Sequence, residues 1–383
     1  MSFSKLPVLR HGLMLRHEDI FTETVMAERT EAARALMRKR NVESMVVCSD
    51  AINSGPVCYL TNYPCFGIGR HAAVALGLTK GPFLFTTEPA RNLPRVRLFT
   101  TCDLERTRNF SSAACIRAKE ISANGEVGFV GNANLSLKFA EDAEKELTGL
   151  DVKDLSRDFA VLLAKKDEGS LKATKRAHQM AREGMRWLRE EASSGKDLWQ
   201  LAAFVDYRLR LLGCEGTNIL LGSSARGPLR PGYPARIRPV PGSKLAAYIA
   251  VQYGRHWGVA GETLSVGVES EEHRKQLGRI REAQKRLASK IIPDTTMGEL
   301  KAAIGEVGGQ ADLVFAQDLP LAAGLGFDLL EYPSSADDEI KTGMVLQIAL
   351  AVDIGESFTA MIVDMLQVTP SGGVWLGSIT PTS

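Results

Sequence analysis

The side chains most able to grip a metal or attack a substrate are six cysteines and six histidines, and their spacing supports neither use. Cys48, Cys58, Cys65, Cys102, Cys115 and Cys214 contain no C-x-x-C pair, which points to buried, reduced thiols. The histidines form no H-x-x-x-H or H-x-x-E-H zinc pattern. Attention therefore falls on Lys244–Gly267, KLAAYIAVQYGRHWGVAGETLSVG, which reads as two β-strands joined at Tyr253-Gly254-Arg255 and contains no Asp. It carries His256, which can exchange a proton near neutrality, and Glu262. His71 is a second imidazole of that kind, or simply a strand residue. Arg226, Arg230, Arg236 and Arg238 lie in a Pro-rich loop, Ala225–Pro241. Such a loop is either a solvated surface or a lid that gathers an anion. Phe66-Gly67-Ile68-Gly69 lacks the third Gly and the helix start of a dinucleotide-binding turn.

The elements that must position these groups follow from periodicity. The chain of 383 residues is long enough for two domains. Val25–Arg40 has helical spacing and precedes the strand-like Ser44–Cys48; Val57–Leu60, Ala72–Leu78, Pro82–Thr87 and Glu126–Val130 read as further strands, and Ser136–Leu147 as a helix. This alternation predicts a small α/β domain over 1–164, with 165–383 as a second domain beyond the charged stretch Lys165–Gly169. The second half opens with helices over Ser170–Ala192 and Lys196–Leu212, followed by the strand Asn218–Gly222 and the hairpin. Glu271–Ile291 reads as a long charged helix, and Thr296 with Glu299 forms a capping box for a helix through Ile304. Leu313–Ala316, Gly343–Val352 and Phe358–Thr369 read as strands.

A net charge of +2 creates no field strong enough to argue for nucleic acid or an anionic membrane. No apolar run reaches the roughly 20 residues that a membrane span needs, and charges interrupt the first twenty residues where a signal peptide would be apolar. A cytoplasmic protein without cofactor is expected, and the opening twenty residues are expected to form a surface arm.

Tyr59-Leu60-Thr61-Asn62-Tyr63, Lys165–Trp187, Ala323-Gly324-Leu325-Gly326 with Glu331-Tyr332-Pro333, and Lys341–Val345 together resemble the creatinase, prolidase and aminopeptidase P family, whose C-terminal domain has the pita-bread fold, a curved antiparallel sheet flanked by helices. Tyr59-Leu60-Thr61-Asn62-Tyr63 resembles the "NIRYLTGF" strand ending of that family. Lys165–Trp187 is similar to its linker helix. Ala323-Gly324-Leu325-Gly326 with Glu331-Tyr332-Pro333 fits the frame H-G-x-G-x-x-x-H-E-x-P, and Lys341–Val345 fits L-x-x-G-M-V. The resemblance implies an overall α/β (α+β) fold: a creatinase-like N-terminal domain and a pita-bread C-terminal domain.

Peptidases of this family hold two divalent cations through two Asp, one His and two Glu, and activate a bridging water with them. Carried across motif by motif, the ligands fall on Tyr248, Val259, Ala323, Ala349 and Val363, and a substrate-side His falls on Leu330. All five ligands are thus replaced, so no metal is expected. Creatinase-like relatives work without metal. They send an Arg from one subunit's N-terminal domain into the partner's pocket, and Phe66–His71 resembles that turn, with Arg70 as the candidate. The planar guanidinium fork suits a carboxylate.

The resemblance thus implies a homodimer binding a small carboxylated molecule. His256, His71 and Glu262 are the candidate catalytic groups; Arg70, Tyr248, Trp257, Gln347, Asp364, Glu331 and Arg230 are the candidate contacts. His256 and Trp257 are expected to face the pocket, and Asp364 to line the former metal cavity with Tyr248 and Gln347. The expected activity is a metal-independent hydrolase or lyase acting on an amino-acid-like substrate. An inactive binding protein is the alternative, favoured by the apolar replacements. A peptidase with relocated ligands is a weaker one.

Overall fold

The computed structural model describes residues 17–65, 71–316, 322–355 and 358–377. The expected N-terminal arm and the Arg70 turn lie outside them, apart from His17–Ile20 and His71. The chain divides into two compact units, one of Met1–Leu163 with Asp167–Gly169, the other of Ala164–Lys166 with Ser170–Ser383.

The first unit is built on a six-stranded mixed sheet, order β4-β3-β2-β1-β5-β6. Its strands are β1 (Ser44–Asp50), β2 (His71–Gly77), β3 (Phe83–Thr86), β4 (Asp103–Arg106), β5 (Glu126–Val130) and β6 (Asp151–Asp154). Around them lie α1 (Glu23–Lys39), α2 (Gly55–Thr61), α3 (Leu93–Phe99), α4 (Phe110–Ile121), α5 (Leu137–Leu147) and α6 (Ser156–Ala164). Residues 57–60, expected as a strand, belong instead to α2. Pro56 sits in its first turn and Asn62 closes it in the left-handed conformation, φ 56°. A short apolar run has no period of its own, so these end signals decide it. The buried guanidinium of Arg29 is held by both oxygens of Asp167, at 2.7 and 3.3 Å, and stacks near Phe21 and Tyr59. A charge at that depth needs such pairing.

The second unit carries an antiparallel sheet, order β10-β11-β12-β9-β8-β7, with β13 added beside β12. Its strands are β7 (Gly216–Ser224), β8 (Lys244–Tyr253), β9 (His256–Ser265), β10 (Ala322–Gly324), β11 (Val345–Ile354), β12 (Phe358–Thr369) and β13 (Gly372–Trp375). The helices are α7 (Glu168–Glu191), α8 (Leu198–Leu211), α9 (Glu271–Lys290) and α10 (Met297–Gln310). Both α8 and α10 start at capping boxes, Asp197 with Gln200 and Thr296 with Glu299. Residues 313–316, expected as a strand, contribute only an isolated bridge from Phe315 to Val352. The hairpin turns at Gly254 and Arg255, both with positive φ, the geometry that matches strand twist.

Alternation along β8 splits the sheet into two faces. Leu245, Ala247, Ile249 and Val251 pack beneath α7 and α8 with Met180, Leu188, Val205 and Leu209. Ala246, Tyr248 and Ala250 point the other way, into a second cluster with Trp257, Val259, Ala349 and Val363. That second face carries Tyr248, Val259, Ala349 and Val363, positions to which the resemblance assigned the family's ligands.

Candidate functional site

Strand register brings those positions together in two adjacent rows. In the first, Ala349 pairs with Val363, Val363 with Gly261, and Gly261 with Tyr248. In the second, Ala323 pairs with Gln347 and Gln347 with Met365, whose sulfur lies 3.1 Å from the amide nitrogen of Val259. Directly opposed residues share a face. All five positions therefore belong to one surface, although they come from five strands.

The chemistry of that surface is hydrocarbon with one polar couple. Val259, Ala323, Ala349 and Val363 are buried, and Met361, Met365, Leu229 and Leu325 pack among or beside them. The hydroxyl of Tyr248 donates to Oε1 of Gln347 at 3.1 Å, and Nε2 of Gln347 donates to the carbonyl of Leu329 at 3.1 Å. Burial pushes the Tyr248 phenol well above its ordinary value, so it stays a neutral donor. A phenol, an amide and alkyl groups do not fit a pair of divalent cations, which need anionic oxygens or imidazoles. Among the described residues, no group of three or more His, Cys, Asp or Glu could hold a metal ion.

Other expected site residues are placed elsewhere. Asp364 does not line this face: its neighbours Val363 and Met365 do, and alternation turns Asp364 toward the helices. There its Oδ1 lies 3.2 Å from Nε2 of His178 on α7. Glu262 faces the helices as well, bridging Arg189 of α7 at 2.8 Å and Arg281 of α9 at 3.2 Å. Burial raises its carboxyl above the ordinary range against the pull of those two arginines. His256 and Trp257 were both expected to face the pocket, which consecutive strand residues cannot do. Trp257 joins the cluster on the Tyr248 face, while His256 pairs with Tyr253, which packs on the helix-side core. The His256 ring is fully buried against Phe327, centroids 4.3 Å apart, and its Nδ1–H donates to the Gly254 carbonyl at 2.8 Å.

His71 belongs to the first unit, stacked on Phe110 at 5.3 Å and tilted against Phe139 at 5.2 Å. Arg230 clamps Asp353 with both Nη atoms at 2.8 Å and donates to Thr359 at 2.9 Å. That fork holds the Asp353 carboxyl below its ordinary value. Glu331 closes the Gly-rich loop: it accepts from the Asp328 amide at 2.9 Å and pairs with Lys166 at 3.3 Å. Leu330, on the substrate-side position, is 60% exposed.

His178 was not among the expected residues. It is buried in the middle of α7, and its Nδ1–H donates to the Val259 carbonyl at 2.8 Å, locking the helix to the hairpin. The legible signal was its position among Thr174, Ala177 and Ala181, the helical spacing of a buried stripe.

Residues 172–370 match the model of metallopeptidase family M24. The Xaa-Pro dipeptidase of Pyrococcus furiosus is 26% identical over 265 residues, 66% of this chain and 74% of that protein. Its counterpart from Pyrococcus horikoshii is 23% identical over 248 residues, 63% of this chain and 70% of that protein. Among solved structures, a Xaa-Pro dipeptidase from Bacillus anthracis superimposes with a TM-score of 0.76 at 16% identity, covering 94% of this chain and 99% of that one. The prolidase from Pyrococcus horikoshii gives 0.73 at 19% identity, covering 91% and 97%. The second unit has the pita-bread fold. Since the family model spans more than half of the sequence, the chain belongs to metallopeptidase family M24.

Proposed function

We propose that the Tyr248 face of the C-terminal sheet binds a small carboxylated, amino-acid-like or dipeptide molecule without the two-cation hydrolysis of the family. One observation carries this reading: the rows that would hold the cations present Tyr248, Val259, Ala323, Ala349 and Val363, with the Tyr248–Gln347 hydrogen bond between them. Alkyl groups suit an aliphatic side chain, and the phenol–amide couple can exchange its internal bond for one to a ligand. The Xaa-Pro dipeptidase relatives support a peptide-like ligand.

A metal-independent hydrolase or lyase is the second reading, with Arg70 reaching the pocket of a homodimer partner. It needs a proton-transfer group facing Tyr248, and His256, Glu262 and Asp364 offer none on that face. What supports it is the retained polarity of Tyr248 and Gln347. A peptidase with relocated ligands is the third.

The test uses protein purified without chelator and the dipeptide Leu-Pro as probe. Calorimetry is expected to show binding that Tyr248→Phe weakens about tenfold, the worth of one good hydrogen bond. Elemental analysis should find no stoichiometric Mn, Co or Zn, and no proline should be released with Mn²⁺ or Co²⁺ added. Bound metal with hydrolysis would restore the peptidase reading. Hydrolysis without metal, lost in Arg70→Ala, would establish the second. No binding at all would end the first.

A further inference from the structure

On the helix-covered side of the same sheet, a groove of about 490 Å³ runs between α7 and α9. Its floor is Ala260 of β9 and Ile362 of β12. That volume is within the roughly 300–1,000 Å³ of small-molecule sites. Five guanidinium groups line it: Arg176, Arg182, Arg186 and Arg189 from one wall and Arg281 from the other. Three carboxylates, Glu183, Glu262 and Asp364, oppose them, so the lining carries a surplus of two positive charges.

The carboxylates are already committed. Glu183 pairs with Arg186 at 2.7 Å, and Asp364 lies against His178. Glu262 accepts from Arg189 and Arg281 through one Nη2 each, which leaves the rest of both forks for a second acceptor. Arg176 and Arg182 have no ion-pair partner among the described residues. Gln284 on α9 lines the same groove, is 2% exposed, and its Nε2 has no hydrogen-bond partner among the described residues. Leaving such a buried donor unmet is costly, which is a reason to look for an acceptor that meets it.

We propose that this groove is a binding site for a phosphate-bearing small molecule, held between Arg182 and Arg176 on one side and Arg281 and Gln284 on the other. The two-walled geometry favours phosphate over carboxylate. A phosphate group's oxygens point tetrahedrally and accept from donors on opposite walls, whereas a carboxylate presents both oxygens in one plane to one side. The site lies on the far face of the sheet from the Tyr248 surface and does not depend on the function assigned there.

Inorganic pyrophosphate is the probe, titrated calorimetrically into the full chain at low and at physiological ionic strength. Saturable binding that weakens with salt is expected. Arg182→Gln and Arg281→Gln should each lower affinity about tenfold, the effect of losing one charge-assisted hydrogen bond. Gln284→Leu should weaken binding while leaving the thermal midpoint unchanged or higher, because it removes an unmet buried donor; this variant keeps the test decisive if an arginine variant folds poorly. Absence of binding, equal affinity in all three variants, or citrate binding more tightly than pyrophosphate would overturn the proposal.

Discussion

Tyr248 and Gln347 hydrogen-bond at 3.1 Å although their strands, β8 and β11, are separated by β9 and β12. Three strand spacings amount to roughly 14 Å on a flat sheet. The contact therefore requires a concave face with both side chains leaning toward its middle. That curvature converges a phenol on an amide. Tyr248→Phe should cost about 1 kcal/mol, since the Gln347 carbonyl loses its donor. Tyr248→Asp, which restores the family's residue alone, should cost about 3 kcal/mol or more by burying an uncompensated carboxylate. Urea unfolding of both variants measures the difference.

Metal removal should do nothing to this protein. Dialysis against a chelator is expected to leave the thermal midpoint unchanged. The variant carrying Tyr248→Asp, Val259→Asp, Ala323→His, Ala349→Glu and Val363→Glu should, if it folds, gain a midpoint that rises with Mn²⁺, because ligand binding to the folded state adds stability. A chelator-sensitive midpoint in the natural sequence would contradict the donor chemistry of the two rows.

Gly258 and Gly278 should respond to alanine in opposite senses. A Cβ on Gly258 would overlap the backbone of Ala177 and His178, where α7 crosses the hairpin. Neither backbone can yield, so Gly258→Ala should cost more than about 3 kcal/mol or prevent folding. Gly278 lies inside α9 with open space around it. Gly278→Ala should add about 0.5–1 kcal/mol of stability, through helix propensity alone. Thermal melts of the two purified variants compare them directly.

His273 should give stability a dependence on pH. It is buried beneath Phe358, hydrogen-bonded to Ser265 at 3.1 Å and Glu269 at 3.0 Å. Burial first, and Lys244 second, lower its pKa from the ordinary 6.5, against the pull of Glu269. With the folded value lowered, unfolding takes up a proton at pH values between the two. The contribution is therefore complete above the unfolded value and is lost as pH falls below it toward the folded one. Melting at about pH 7.5 and at about pH 5 should show a drop that is smaller in His273→Gln, which cannot charge. An equal drop in the two proteins would assign the pH dependence to other groups.

The order of elements was readable from the sequence wherever period and end signals agreed. The Thr296–Glu299 box, the hairpin around Gly254 and the helix over α9 appear where periodicity put them, because each is specified by neighbours in the chain. Residues 57–60 were misread because a four-residue apolar run has no period. The motifs also sufficed to name the family. Which face a residue occupies was a different matter. Asp364 was expected to line the cavity and Glu262 to be a catalytic group there, yet a strand sends successive side chains to opposite sides. Register with β9, β11 and the helices decides that Val363 faces the cavity and Asp364 faces His178. The Tyr248–Gln347 bond joins residues 99 apart in sequence, and the arginine groove joins two helices that no local signal connects. Composition and spacing act along the chain, whereas a site is made by residues that only sheet curvature and helix packing bring within a few ångströms of each other.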